Sequence, residues 1–169
     1  LKINIYILNK MIIFCDGVFD LFHFGHVNHF KEIKTLYPDC FLFVGILNDK
    51  ISTEYKRKPI FNQYKRKELV ESCKYVDKTT FDYPVIMTEE FINNNNIDLV
   101  VHAFNNKLDK ENQEKYFKVP IELNKFQILN YDKNISTTEI ISNMSNNNNN
   151  ISSNKQGWDL IWEKKGITN

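Results

Sequence analysis

The segment from Ile12 to His26 limits what this chain can fold into more than any other. An apolar run, Ile12-Ile13-Phe14-Cys15, ends at Asp16-Gly17, and His23 and His26 follow three residues apart around Gly25. The run predicts a buried strand from Met11 to Cys15, and the residues after it a helix that begins near Leu21 or Phe22. Residues i and i+3 share a helix face, so both imidazoles are expected to point at one ligand. Free N–H groups and the positive end of the dipole make a helix N-terminus an anion site. Gly25 leaves room for a phosphate against the backbone, and imidazole N–H donors aimed there hold charge that develops on a transferring phosphorus. Three plainer roles compete. A zinc site would want a cysteine or carboxylate cluster at ligand spacing, and none accompanies the pair. A histidine can be a hydrogen-bonded core residue, and a glycine a simple turn. The strand–turn–helix context favours phosphate chemistry over all three. His29, one turn on, lacks that context and reads as structural.

Apolar strand-like runs recur along the chain with helical segments between them. After the first strand and a helix to about Leu36, strands are expected at Cys40–Leu47, Lys78–Phe81, Ile97–His102 and Phe126–Asn130. Helices are expected at Lys65–Cys73, Glu89–Asn94 and Thr137–Met144, the last capped by Ser136. Such alternation implies an α/β fold, a Rossmann-like doubly wound parallel sheet, in which ligands bind beyond the carboxyl ends of the strands. The expected organisation is an N-terminal extension (1–10), one domain (11–145), an asparagine-rich linker (146–156) and a tail (157–169) carrying Trp158 and Trp162.

At 169 residues, one domain with a real core is expected. A net charge of +1 provides no bulk attraction for nucleic acid. The basic clusters Lys56-Arg57-Lys58 and Lys65-Arg66-Lys67 have no interleaved aromatic platform, so no nucleic-acid partner is expected. Cys15, Cys40 and Cys73 are unclustered, which suggests a reducing compartment and a cytoplasmic location. The apolar stretch Ile3–Leu8 is short and broken by Asn4, so neither a signal peptide nor a transmembrane helix is read there. The chain opens with Leu, so either a fragment or a start at Met11 is expected.

The stretch Asp16-Gly-Val-Phe-Asp-Leu-Phe-His-Phe-Gly-His26 resembles the HxGH signature of nucleotidyltransferases, specifically cytidylyltransferases that make CDP-choline, CDP-ethanolamine and CDP-glycerol. The resemblance spans about residues 11 to 145. It implies catalytic roles for His23, His26 and Lys56, the lysine contacting substrate phosphates. It implies nucleotide contacts at Gly17, Val18, Phe19, Gly25, His26 and at Ile135-Ser136-Thr137-Thr138, which match half of the family's R-T-x-G-I-S-T-[ST] motif. Mg²⁺ is expected to arrive bound with CTP, with no metal ligands of the protein's own. Cys73-Lys74-Tyr75-Val76-Asp77-Lys78 is similar to the family's R-Y-V-D-E segment, which implies a homodimer contact.

Other positions depart from the family pattern. Tyr131 stands where the family has an arginine and Asn134 where it has glycine, as in the diverged second repeat of ethanolamine-phosphate cytidylyltransferases; Lys133 is the cation that could reach in. Ala103 and Phe104 replace an acidic pair. Asp16 stands where choline- and ethanolamine-using relatives keep an acidic residue, and Arg66 resembles an arginine at a helix start; both are expected on substrate. Val85 aligns with the cage tryptophan of choline enzymes, which leaves Tyr116 as the one aromatic expected near a head group. A poorer cage favours a phosphorylated amino alcohol with a small, hydrogen-bonding ammonium. The expected reaction is CMP transfer from CTP to phosphoethanolamine, giving CDP-ethanolamine and pyrophosphate. The alternatives are phosphocholine as acceptor, and a non-catalytic nucleotide-binding repeat of such an enzyme.

Overall fold

The computed structural model describes residues 10–55, 57–130 and 135–151. Five strands, β1 (Ile12–Gly17), β2 (Phe41–Ile46), β3 (Lys78–Thr80), β4 (Leu99–His102) and β5 (Phe126–Ile128), form one sheet in the order β3-β2-β1-β4-β5. Every pairing is parallel. This is the expected Rossmann-like sheet. Its strand order reverses between β1 and β4, the switch point where open α/β sheets bind ligands.

Side chains alternate across each strand and so build two cores. Ile13, Cys15, Leu42, Val44, Ile46, Leu99 and Val101 pack with Phe30 and Ile33 of α1 (Phe24–Leu36) and Val70 of α3 (Gln63–Glu71). Phe14, Phe43 and Val100 face the other way, onto Met87 and onto Ile92 of α4 (Glu89–Asn94). A strand buried on both faces reads as a continuous apolar run, which is why these runs were legible.

Two boundaries near the site differ from expectation. β1 continues two residues past Cys15, with Asp16 opposite Gly45 and Gly17 opposite Ile46. α1 starts at Phe24, because His23 is extended (φ −125°, ψ 174°) and serves as its N-cap. Three short helices carry too little apolar periodicity to be anticipated: α2 (Asp49–Tyr55), α5 (Lys107–Gln113) and, after a 3-10 turn at Glu114–Phe117, α6 (Lys118–Glu122).

A second compact unit starts at Ile135. In it α7 (Thr137–Ile151) is capped as expected, the Ser136 hydroxyl accepting the Glu139 N–H at 3.1 Å. The helix runs through the asparagine residues from 146 onward, where a linker was expected, since each added residue of a started helix gains one backbone bond. The N-terminal extension and the tryptophan tail lie outside the described residues. Among the described residues no helix is long and apolar enough to cross a membrane.

Candidate active site

The turn from β1 into α1 is tight. Phe19 (φ 53°) and Leu21 (φ 48°) both adopt left-handed backbone, which costs a non-glycine residue energy and persists only where surroundings enforce it. Phe19 is enforced by packing. A Cβ on Gly17 would sit 3.0 Å from Phe19 Cζ, so the glycine lets the ring fold back into the core, where it is 6% exposed. That ring meets His26 edge-on, centroids 5.3 Å apart.

His23 and His26 do come together, though as a helix cap rather than as two residues on one helix face. The His23 carbonyl accepts the N–H groups of His26 (3.0 Å) and Val27 (3.3 Å). The His23 N–H donates to Nδ1 of His26 at 3.3 Å. The imidazoles stack with centroids 3.8 Å apart, and Phe22 stacks on His26 at 5.6 Å. Because Nδ1 of His26 accepts, its proton lies on Nε2, which leaves one N–H donor for a ligand. Burial, with His23 and His29 nearby, drives the His26 pKa from 6.5 to about 3. The ring therefore stays neutral and acts as a hydrogen-bond donor, without carrying charge.

Lys56 lies outside the described residues, but the loop that follows it is anchored here. Asp20, three residues before His23 and 3% exposed, accepts the N–H groups of Ile60 (2.9 Å) and Phe61 (3.0 Å) and pairs with Arg57 at 3.0 Å. Burial opposes ionisation of Asp20, but the Phe61 and Ile60 amides and the Arg57 guanidinium outweigh it and hold the carboxyl below its usual range. Sequence reasoning quoted Asp20 within the motif and gave it no role.

At the carboxyl ends of β1 and β4 a second polar group gathers. Asp16 accepts the Tyr83 hydroxyl on Oδ2 at 3.3 Å, and His102 Nδ1 lies 3.4 Å from Oδ1. The latter contact lacks hydrogen-bond alignment, since Oδ1 is buried with no hydrogen-bond partner. Nδ1 of His29 is likewise buried and unpartnered. Burial and the nearby His102 lower the His29 pKa to about 4, against an opposing pull from Asp16. Among the described residues no group of three or more His, Cys, Asp or Glu could hold a metal ion.

A family model for cytidylyltransferase-like proteins matches residues 14–143. The chain belongs to the cytidylyltransferase-like family. Choline-phosphate cytidylyltransferase 2 of Arabidopsis thaliana is 33% identical over 130 residues, 76% of this chain and 43% of that protein. Ethanolamine-phosphate cytidylyltransferase of Dictyostelium discoideum is 30% identical over 132 residues, 78% of this chain and 36% of that protein. The chain thus spans less than half the length of these curated relatives. Among solved structures, the lipopolysaccharide core biosynthesis protein of Thermoplasma volcanium GSS1 superposes with a TM-score of 0.53 at 25% identity, covering 74% of this chain and 98% of that one.

In this cytidylyltransferase-like domain the remaining expected residues fall in three places. Arg66 was expected on substrate, and the structure corrects this. It is fully buried and donates from Nε to Phe61 O (3.1 Å), from Nη1 to Val18 O, and from Nη2 to Leu47 O (2.7 Å) and Asp49 Oδ1 (2.8 Å). With every nitrogen engaged it is a strut tying the β1–α1 turn to the end of β2. Its i+4 neighbour Val70 shares the buried face of α3, a spacing that could have revealed the burial. Tyr116 is half-buried on the second core, its carbonyl accepting the Met87 N–H at 2.8 Å; the aromatic ring that reaches Asp16 is Tyr83. Ile135, Ser136, Thr137 and Thr138 open the second unit, where Ser136 caps α7. Just past the end of β4, Phe104 is buried with its ring 4.7 Å from His102.

Proposed function

We propose that the chain is a cytidylyltransferase that moves CMP from CTP to phosphoethanolamine in phospholipid head-group synthesis. An acceptor phosphate oxygen forms a bond to the α-phosphorus of CTP, the α–β bridging P–O bond breaks, and pyrophosphate leaves with the electron pair. No proton need move, because a phosphate dianion is already a nucleophile. His23 and His26 donate to oxygens of the reacting phosphate as charge spreads over them, and Lys56 neutralises the incoming and leaving phosphates. Ser136, Thr137 and Thr138, at a helix start, are suited to triphosphate oxygens. Mg²⁺ enters as part of the CTP substrate, held by triphosphate oxygens rather than by a protein cage.

The observation that supports this reading most is the stacked histidine pair at the N-cap of α1, beside the sheet's switch point, with His26 neutral and its Nδ1 accepting the His23 N–H. The names of the curated relatives, choline- and ethanolamine-phosphate cytidylyltransferases, support the reaction class. The reading carries a homodimer with it, whose contact falls to the segment from Cys73 to Lys78; sedimentation tests this. The second reading, a non-catalytic nucleotide-binding repeat, draws on Tyr131, which stands where the family pattern has an arginine.

The deciding experiment is pyrophosphate release with CTP and Mg²⁺, adding phosphoethanolamine or phosphocholine in parallel, with His23→Ala as control. Histidine-dependent release with phosphoethanolamine is expected. CTP binding without release from either acceptor would replace the reading with the non-catalytic one.

A further inference from the structure

Asp16 and Gly45 face each other across β1 and β2. The missing side chain of Gly45 makes room for Tyr83, which comes from the loop between β3 and α4. A Cβ on Gly45 would lie 2.9 Å from Tyr83 Cε1 and 2.6 Å from Phe14 Cζ. Phe14 fixes the tyrosine ring from one side, centroids 5.4 Å apart at 60°. The ring spans β2 at this point and its hydroxyl meets Asp16 Oδ2. Burial, with the Asp16 charge, pushes the phenol well above its usual pKa, so it remains a protonated donor. One carboxylate oxygen is thereby satisfied. The other is not: Oδ1 has no hydrogen-bond partner although the Asp16 side chain is only 10% exposed. A buried acceptor without a donor is costly to leave unmade.

We propose that Tyr83 determines the acceptor head group, closing the Asp16 subsite around an ammonium that carries N–H groups and against a fully methylated one. The inference rests on the phosphoethanolamine reading above and deepens it. A primary ammonium brings three donors, one for Asp16 Oδ1 and another for the Tyr83 hydroxyl oxygen. A trimethylammonium brings only methyl groups and so leaves Oδ1 without a hydrogen-bond donor. Sites that leave buried polar groups unpaired discriminate strongly against the analogue lacking the donor.

The test is turnover with phosphoethanolamine, its N-methyl and N,N-dimethyl derivatives and phosphocholine, at saturating CTP. The wild-type kcat/KM should fall with each methyl. Tyr83→Phe, which keeps the shape and removes the hydroxyl, should raise KM for phosphoethanolamine about tenfold and leave KM for CTP unchanged. Tyr83→Ala should shrink the phosphoethanolamine-to-phosphocholine ratio at least tenfold; a general folding defect would move the CTP KM as well. A wild-type preference for phosphocholine would refute the acceptor reading itself. A phosphoethanolamine preference that both variants leave intact would refute the role of Tyr83 alone. Calorimetric binding of the four phosphates reads the same ratio in a protein that does not turn over, and the same two outcomes decide it.

Discussion

The histidine side of the site and the Asp16 side are built in opposite ways. His23 and His26 meet within one helix turn, held by a backbone N–H on an imidazole nitrogen and by ring stacking. Asp16 meets Tyr83 across 67 residues of sequence, and only because the sheet register sets Gly45 beside it. The first arrangement is built from residues of one short motif. The second depends on a topology, a glycine and a loop all being in place. Local chemistry of this kind suits the step common to a family, whereas long-range contacts are free to differ with the acceptor.

That contrast fixes where the largest effects should fall. On the proposed reaction, replacing His23 or His26 with alanine removes a donor to developing charge, typically ~2.7–4 kcal/mol of transition-state stabilisation. Turnover in the pyrophosphate assay should drop on the order of a hundredfold or more, with little change in KM for the acceptor. Asp16→Asn should do the reverse. Losing a charge-assisted bond costs about 1.5–3 kcal/mol, so KM for phosphoethanolamine should rise roughly ten- to a hundredfold while kcat and KM for CTP hold. If both substitutions lowered kcat alike, the two sides would be one functional unit and the contrast would collapse.

A smaller effect probes the register itself. Gly45→Ala places a methyl 2.6 Å from Phe14 Cζ and 2.9 Å from Tyr83 Cε1. Overpacking of this kind costs about 1–3 kcal/mol, read as a lower urea midpoint at unchanged m-value. Acceptor KM should worsen with it, because the displaced ring is the one that holds Asp16. An acceptor KM unmoved by Gly45→Ala would separate Tyr83 from the head group.

The same division explains what could be read from sequence. The strands were legible because Phe14 and Cys15, or Phe43 and Val44, are buried on opposite faces and so leave an unbroken apolar run. The histidine pair is legible because its spacing is local, but its geometry is not: an extended His23 caps α1 instead of riding on it. Arg66 misled because Lys65 and Lys67 flank it in a polar run, which conceals the one face of α3 that faces the core. Tyr83 was invisible for a deeper reason. It stands two residues before Val85, and nothing local distinguishes it. Its contact with Asp16 follows from a glycine on β2 that no periodicity connects to it.

The smallest effect concerns protonation, which should leave both sides unchanged near neutral pH. Burial, reinforced in His26 by His23 and in His29 by His102, holds their pKa values at about 3 and about 4, below the ordinary 6.5. The unfolded chain takes up protons on these rings below about pH 6.5, whereas the folded chain does so only near pH 4 for His29 and pH 3 for His26. Their contribution to stability is therefore fully present above about pH 6.5 and is lost as pH falls toward those values. Across about pH 5 to 8 the ring-proton NMR shifts of both residues should stay flat, and turnover should show no inflection from either. A midpoint near 6.5 for His26 would mean a solvated ring that can carry charge. The histidine side would then act as a charged clamp rather than a neutral donor pair, and Nδ1 could no longer accept the His23 N–H that builds it.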